Sequence, residues 1–136
     1  LKVALDAISR ILKRRSIVFL VSDYMTDLES HSIQLNRLNR QHDIVAVDLH
    51  DPMERTIAGS GLLLLEDAET GQLIWVDSHD KTWQAQFQQD AEQFEQMKKT
   101  VFNRAGIDRV FVNTADDYLN ALALFFQKRV QRVRHG

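Results

Sequence analysis

Six polar residues stand where an α/β protein keeps its chemistry. Asp23 follows the apolar run "IVFLVS", and Asp48, His50 and Asp51 stand at or just past the end of "DIVAVDLHD". Asn113 and Thr114 close a third apolar run, "RVFVNT". In open α/β sheets, ligands bind beyond the carboxyl ends of the strands. Carboxylates grouped at such an edge can hold Mg²⁺, which prefers oxygen ligands and keeps several waters. A competing reading needs no chemistry, because Asp, Asn and Ser end strands by bonding to turn backbone. For Asp48, His50 and Asp51 the strand-end reading is favoured over a ligand role. For Asp23, after the most apolar strand, ligand and strand-end roles stand level.

Those positions depend on the elements that carry them. A helix over roughly 3–13 sets Ala4, Ile8, Ile11 and Leu12 on one apolar face, and strand 17–22 follows. The polar loop "DYMTDLESH" leads to a helix near 31–41, with Leu35 and Leu38 on its inner side. A second strand, 44–49, is stopped by Pro52. "GLLLLEDAETGQLIWVDS" reads as a hairpin whose "ETGQ" turn offers Gly71 for a positive φ. Trp83, Phe87, Ala91, Phe94, Met97 and Val101 mark a helix from about 80 to 104, with the intervening glutamines mostly on its wet face. Gly106 stops that helix, and 109–113 is a third strand. Thr114 and Asp117 have capping-box spacing for a last helix, whose Tyr118, Leu122, Phe125, Phe126 and Val130 pack inward. Its basic end, "KRVQRVRHG", suits the helix dipole.

The order predicts an α/β fold: a Rossmann-like parallel sheet of three core strands, a β-hairpin insertion and flanking helices. No repeat or long linker interrupts the chain, so residues 1–136 are expected to form a single domain. A hydrophobic content of 44% and a charged content of 26% fit a globular protein. The net charge of -2 argues against bulk nucleic-acid binding, which needs a basic footprint. Without cysteine, disulfides and thiol chemistry are excluded. The apolar runs are too short to span a bilayer and no secretory signal is visible, which sets a cytoplasmic expectation. The opening "LKVALDAISRILKRR" starts inside a patterned helix without Met and reads as a piece of something longer.

Other constellations carry less. The five histidines, His31, His42, His50, His79 and His135, lack the spacing of a zinc motif. Ser22 has no G-x-S-x-G elbow. "GSGLLLL", from Gly59, leads into a strand, whereas a phosphate cradle needs a helix N-terminus. A phosphoacceptor receiver would want a Lys after the last strand, and "VFVNTADD" has none. The runs Lys13–Arg15 and Lys128–Arg134 read as solvated helix ends.

The series "RRSIVFLVSDY", "RQHDIVAVDLHDPME", "GLLLLEDAETGQLIWVDS" and "NTADDYLNALALFFQKR" carries a resemblance over almost the whole chain. It resembles the carboxyl-terminal half of the von Willebrand factor A-like domain in a large bacterial family of uncharacterised function. Members of that family are usually encoded beside MoxR-type AAA+ ATPases. The resemblance implies a doubly wound sheet with a metal-ion-dependent adhesion site. That site takes D-x-S-x-S after the first strand, a Thr from a later loop and an Asp after the fourth strand. Strand 17–22 corresponds to the fourth strand and Asp23 to the last ligand. No D-x-S-x-S occurs here, so Asp23 is expected to supply only part of a metal site. No cofactor is expected in this fragment itself, with Mg²⁺ or Mn²⁺ possible in the intact protein.

Two functions follow. The first is a non-catalytic protein-interaction module that works with a MoxR-type AAA+ ATPase in assembling or maturing protein complexes, with absent N-terminal segments able to anchor the intact protein in a membrane. The alternative is a Mg²⁺-dependent phosphohydrolase-like enzyme using Asp23, Asp48 and Asp51, for which no nucleophile, base or phosphate loop is visible. In the resembled domain, strand 17–22 lies between a missing strand and 44–49. Its exposed edge is therefore expected to drive self-association.

Overall fold

A computed structural model describes residues 1–51, 61–66, 71–115 and 118–135, with side chains as far as Gln131. Pro52, Gly59, the Glu69–Thr70 part of the hairpin turn, Asp117 and the side chains of the basic tail after Gln131 lie outside the described residues. The chain divides into two compact units, Leu1–Asp51 with Gln96–Gly136, and Pro52–Glu95.

The first unit is built on a parallel sheet in the order β1-β2-β5, formed by β1 (Ile17–Ser22), β2 (Asp43–His50) and β5 (Asp108–Asn113). Ile17 pairs with Asp43 and Ser22 with Asp48, while Val45 pairs with Asp108 and His50 with Asn113. Helix α1 (Lys2–Ile11) precedes β1, and a 3₁₀ turn (Glu29–His31) leads into α2 (Ser32–Gln41). Because side chains alternate along a strand, Leu20, Ile44 and Ala46 face one way. They pack with Leu5, Leu35, Leu38, Val101 and Phe102 in one core. Val45, Val47, Val110 and Val112 face the other way, against Leu122 and Phe125 of α4 (Tyr118–His135). Val101 and Phe102 belong to the last turns of α3 (Lys81–Ala105).

Two local devices hold this unit in register. Tyr24 has φ +57, in the left-handed region that a bulky residue enters only at a cost of about 1–2 kcal/mol. Its ring is fully buried edge-on against Phe102 at 5.0 Å, and its hydroxyl donates to the Leu20 carbonyl at 2.5 Å. Burial of an aromatic ring offsets the backbone term. Asn39 is the second device. Its amide donates to the carbonyls of Ala105 (3.1 Å) and Gly106 (2.8 Å), and its oxygen accepts from the Ile44 N–H (3.0 Å). The end of α3, the Gly106 turn at φ +66 and the start of β2 are thereby joined through one side chain.

The apolar faces differ in part from expectation. Ala4 and Ile11 of α1 are exposed, and the helix is seated instead by Leu5, with Leu1 and Ile8 half-buried. On α4, Leu122 and Phe125 pack inward, but Tyr118, Phe126 and Val130 remain exposed. The reason is geometric: a three-stranded sheet is too narrow to cover the full apolar width of the helix.

In the second unit, β3 (Leu62–Glu66) and β4 (Leu73–Asp77) form the expected antiparallel hairpin, with Leu64 opposite Trp75. Gly71 has φ +69, as its turn position requires. Asp80 caps α3, its carboxylate accepting from the N–H groups of Thr82 (2.8 Å) and Trp83 (3.4 Å).

Candidate functional site

The carboxyl edge of the sheet holds the residues singled out from the sequence, and it separates them. Asp23 follows β1 on an exposed turn. Its Oδ1 accepts from the Ser22 hydroxyl (3.3 Å) and from the Met25 N–H (3.0 Å), so the side chain bonds its own turn two residues on. Asn113 closes β5 in the same manner, and Thr114 follows it. The Asn113 oxygen accepts from the Ala115 N–H (3.0 Å), and the Thr114 N–H donates to the His50 carbonyl (2.9 Å). The His50 ring lies 5.3 Å from that of Phe111.

Asp48 does something different. Expected as a strand-ending acid, it lies inside β2, which runs on to His50, and its side chain is fully buried. It shares the face of Ile44 and Ala46, and on that face it meets two cations. Lys98 Nζ lies 3.2 Å from Oδ1 and 3.1 Å from Oδ2, and Arg109 Nε donates to Oδ2 at 2.6 Å. A second guanidinium nitrogen of Arg109 also bridges to Oδ2. A buried carboxylate costs several kcal/mol in desolvation unless it is paired and hydrogen-bonded, and here both oxygens are engaged. Burial first, and the Asp48 carboxylate second, push the Tyr24 hydroxyl pKa above its ordinary value, with Arg109 opposing.

Lys98 and Arg109 were not singled out from the sequence, though each leaves a trace there. Lys98 precedes Val101 and Phe102 by three and four residues, which sets it on the buried stripe of α3. Arg109 lies next to Val110 on β5 and hence on the opposite face from the valine core. Neither trace names its partner.

As a site for chemistry, the edge is therefore divided. Among the described residues, no group of three or more His, Asp or Glu side chains is close enough to hold a metal ion. Asp23, Asp48 and Asp51 do not converge, because Asp48 is turned into the core. Tested against Mg²⁺, the described residues at this turn offer the Asp23 carboxylate and the neighbouring Ser22 hydroxyl, fewer oxygens than the ion needs. Those two fit only as contributors to a site completed by other groups.

On the opposite face, a groove of about 610 Å³ opens beside β1. Phe19, Val21, Leu49, Val112, Leu122 and Phe126 line it, and the rings of Phe19 and Phe126 meet edge-on at 5.8 Å. Its walls are almost wholly apolar, so it can bury surface but offers little to polarise a bond. No helix among the described residues is long and apolar enough to cross a membrane.

Comparison with known proteins gives a family and no activity. The family model described as "Protein of unknown function DUF58" matches residues 1–97. An uncharacterized protein of Mycobacterium avium is 30% identical over 71 residues, which cover 52% of this chain and 41% of that protein. An uncharacterized protein of Mycobacterium tuberculosis is likewise 30% identical over 71 residues, 22% of its length. The chain thus spans less than half of the curated relatives it matches. No solved structure matches it.

Proposed function

The chain belongs to the DUF58 family, and from that premise we propose that it is a non-catalytic protein-interaction module. Its sheet is the carboxyl-terminal half of a Rossmann-like, von Willebrand factor A-like domain. In the intact protein it works with a MoxR-type AAA+ ATPase in the assembly or maturation of protein complexes. The observation that supports this reading is the fate of the two strand-end acids. Asp48 is consumed by Lys98 and Arg109, while Asp23 stays exposed at the carboxyl edge. One outward carboxylate can add a ligand to a cation shared with a partner, whereas hydrolytic metal centres gather several. A partner's acidic side chain would complete the coordination sphere of that Mg²⁺ or Mn²⁺.

Calorimetric titration of the full-length protein with the ATPase encoded beside it tests the reading. Binding that needs Mg²⁺ and is lost in Asp23→Ala is the expected result. Absence of binding removes the ATPase, and binding unchanged in Asp23→Ala removes the shared cation. Turnover of a phosphate ester, abolished in the same variant, would replace the module with the phosphohydrolase-like alternative.

A further inference from the structure

The hairpin of the second unit has two unlike faces. Leu62 stands opposite Asp77, Leu64 opposite Trp75 and Glu66 opposite Leu73. Side chains alternate along a strand and opposed residues share a face, so these six side chains lie on one side of the two-stranded sheet. On the other side Leu63, Leu65 and Val76 are half-buried, while Ile74 is exposed. The first face is open throughout: Leu62 is 65% exposed, Leu64 46%, Leu73 63% and Trp75 63%. Single exposed apolar residues need no explanation, but large ones grouped on one face mark an interaction surface.

The charges on this face decide what can cover it. Glu66 and Asp77 are exposed at diagonally opposite corners, and no Lys or Arg shares the face with them. Asp77 Oδ1 accepts from the His79 N–H at 2.9 Å, and its Oδ2 has no partner among the described residues. A second copy laid centrally face to face does not satisfy the two acids. With the twofold axis along the strands or across them, each acid falls on a leucine of the other copy. With the axis on the diagonal through the acids, each falls on its own equivalent. An ionised carboxylate covered in either way loses water and gains no cation.

We propose that the face of Leu62, Leu64, Leu73 and Trp75 docks an amphipathic helix of a partner protein, whose apolar ridge carries a Lys or Arg at each end. A helix about 10 Å across covers both strands, which lie about 4.8 Å apart, whereas one stacked strand covers a single row. Glu66 and Asp77 are four residues apart along the hairpin. That is about 14 Å at about 3.4 Å per residue, or about nine residues of helix. Trp75 sits in the middle row and anchors the contact, because aromatic side chains near the centre of an interface carry most of its energy. The acids at the rim set orientation and choice of partner. This inference rests on the hairpin itself, and not on the ATPase or on a cation at Asp23.

Fluorescence anisotropy tests the docking with a labelled helical peptide that carries a leucine ridge and lysines about nine residues apart. A second peptide carries glutamates in place of the lysines. Both this chain and the full-length protein should bind the lysine peptide about tenfold or more tightly than the glutamate peptide. Trp75→Ala should weaken binding by about thirtyfold, with a far-UV circular dichroism spectrum like the parent's. Glu66→Lys leaves one matched and one opposed charge for either peptide, so it should shrink the preference to within about threefold. No binding by this chain, equal binding of the two peptides, or a folded Trp75→Ala chain that binds like the parent would each overturn the proposal. Binding by this chain and not by the full-length protein would overturn it too, since another part of that protein then covers the face. Sedimentation of this chain as a dimer that Trp75→Ala dissolves would make a second copy the occupant and overturn it as well.

Discussion

Asp48→Ala removes the carboxylate that Lys98 and Arg109 share, and its cost can be reasoned from the geometry. Lys98 is 5% exposed and Arg109 19%, so both cations keep little solvent once the acid is gone. Removing one partner of a buried ion pair costs about 3–5 kcal/mol. Partial access of water to Arg109 places this case at the lower end, about 3 kcal/mol. Lys98→Ala or Arg109→Ala leaves Asp48 with one cation still bonded, so each should cost less, about 1.5–2 kcal/mol. Urea unfolding followed by far-UV circular dichroism measures the difference. Tryptophan fluorescence would not serve, since Trp75 and Trp83 both lie within Pro52–Glu95. With a slope of about 2 kcal/mol per molar urea, the midpoint of Asp48→Ala should fall by roughly 1.5 M. Replacing all three together, as Asp48→Leu, Lys98→Met and Arg109→Leu, should recover part of that loss, because neither cation is left facing the place of the missing carboxylate. An Asp48→Ala midpoint close to the parent's, or no lower than that of Lys98→Ala, would refute the shared-carboxylate account.

Two further outcomes follow from single side chains. The folded state holds the Tyr24 proton more tightly than the unfolded chain, whose tyrosine titrates near 10.0. Its contribution is therefore fully present below pH 10 and is lost as pH rises past that value. Urea midpoints from pH 8 to 11 should fall at the alkaline end, and Tyr24→Phe should flatten that fall while losing about 1 kcal/mol at neutral pH with the bond to Leu20. Equal alkaline slopes in the two proteins would rule out Tyr24 as the source. Asn39→Ala breaks three hydrogen bonds and strands the Ile44 N–H, so it should cost about 2–3 kcal/mol in the same urea assay, against almost nothing if water replaces the amide.

The chain's own periodicity determined most of the architecture. β1 runs from Ile17 to Ser22 as its apolar block predicts, and Leu35, Leu38 and Val101 are buried as their spacing requires. These features are local: helix and strand periods are written within ten or twenty residues, and a turn glycine such as Gly71 announces its own backbone. Leu5, in place of Ala4 and Ile11, shows the limit. Periodicity gives a stripe, but only the neighbour decides which part of the stripe is covered.

The site was legible by position and not by role. Asp23 could be placed at the carboxyl end of a strand from sequence alone, and its exposed turn agrees with that place. Asp48 could not be told from it, because the same strand-end pattern describes both. The difference lies in Lys98 and Arg109, fifty and sixty-one residues further along the chain. Electrostatic pairing depends on distance in space, and no local pattern encodes a partner so far away in sequence. The sequence by itself determined that acids stand at the edge of a parallel sheet. Only the tertiary structure decided that one faces solvent while the other is held in the core by two cations.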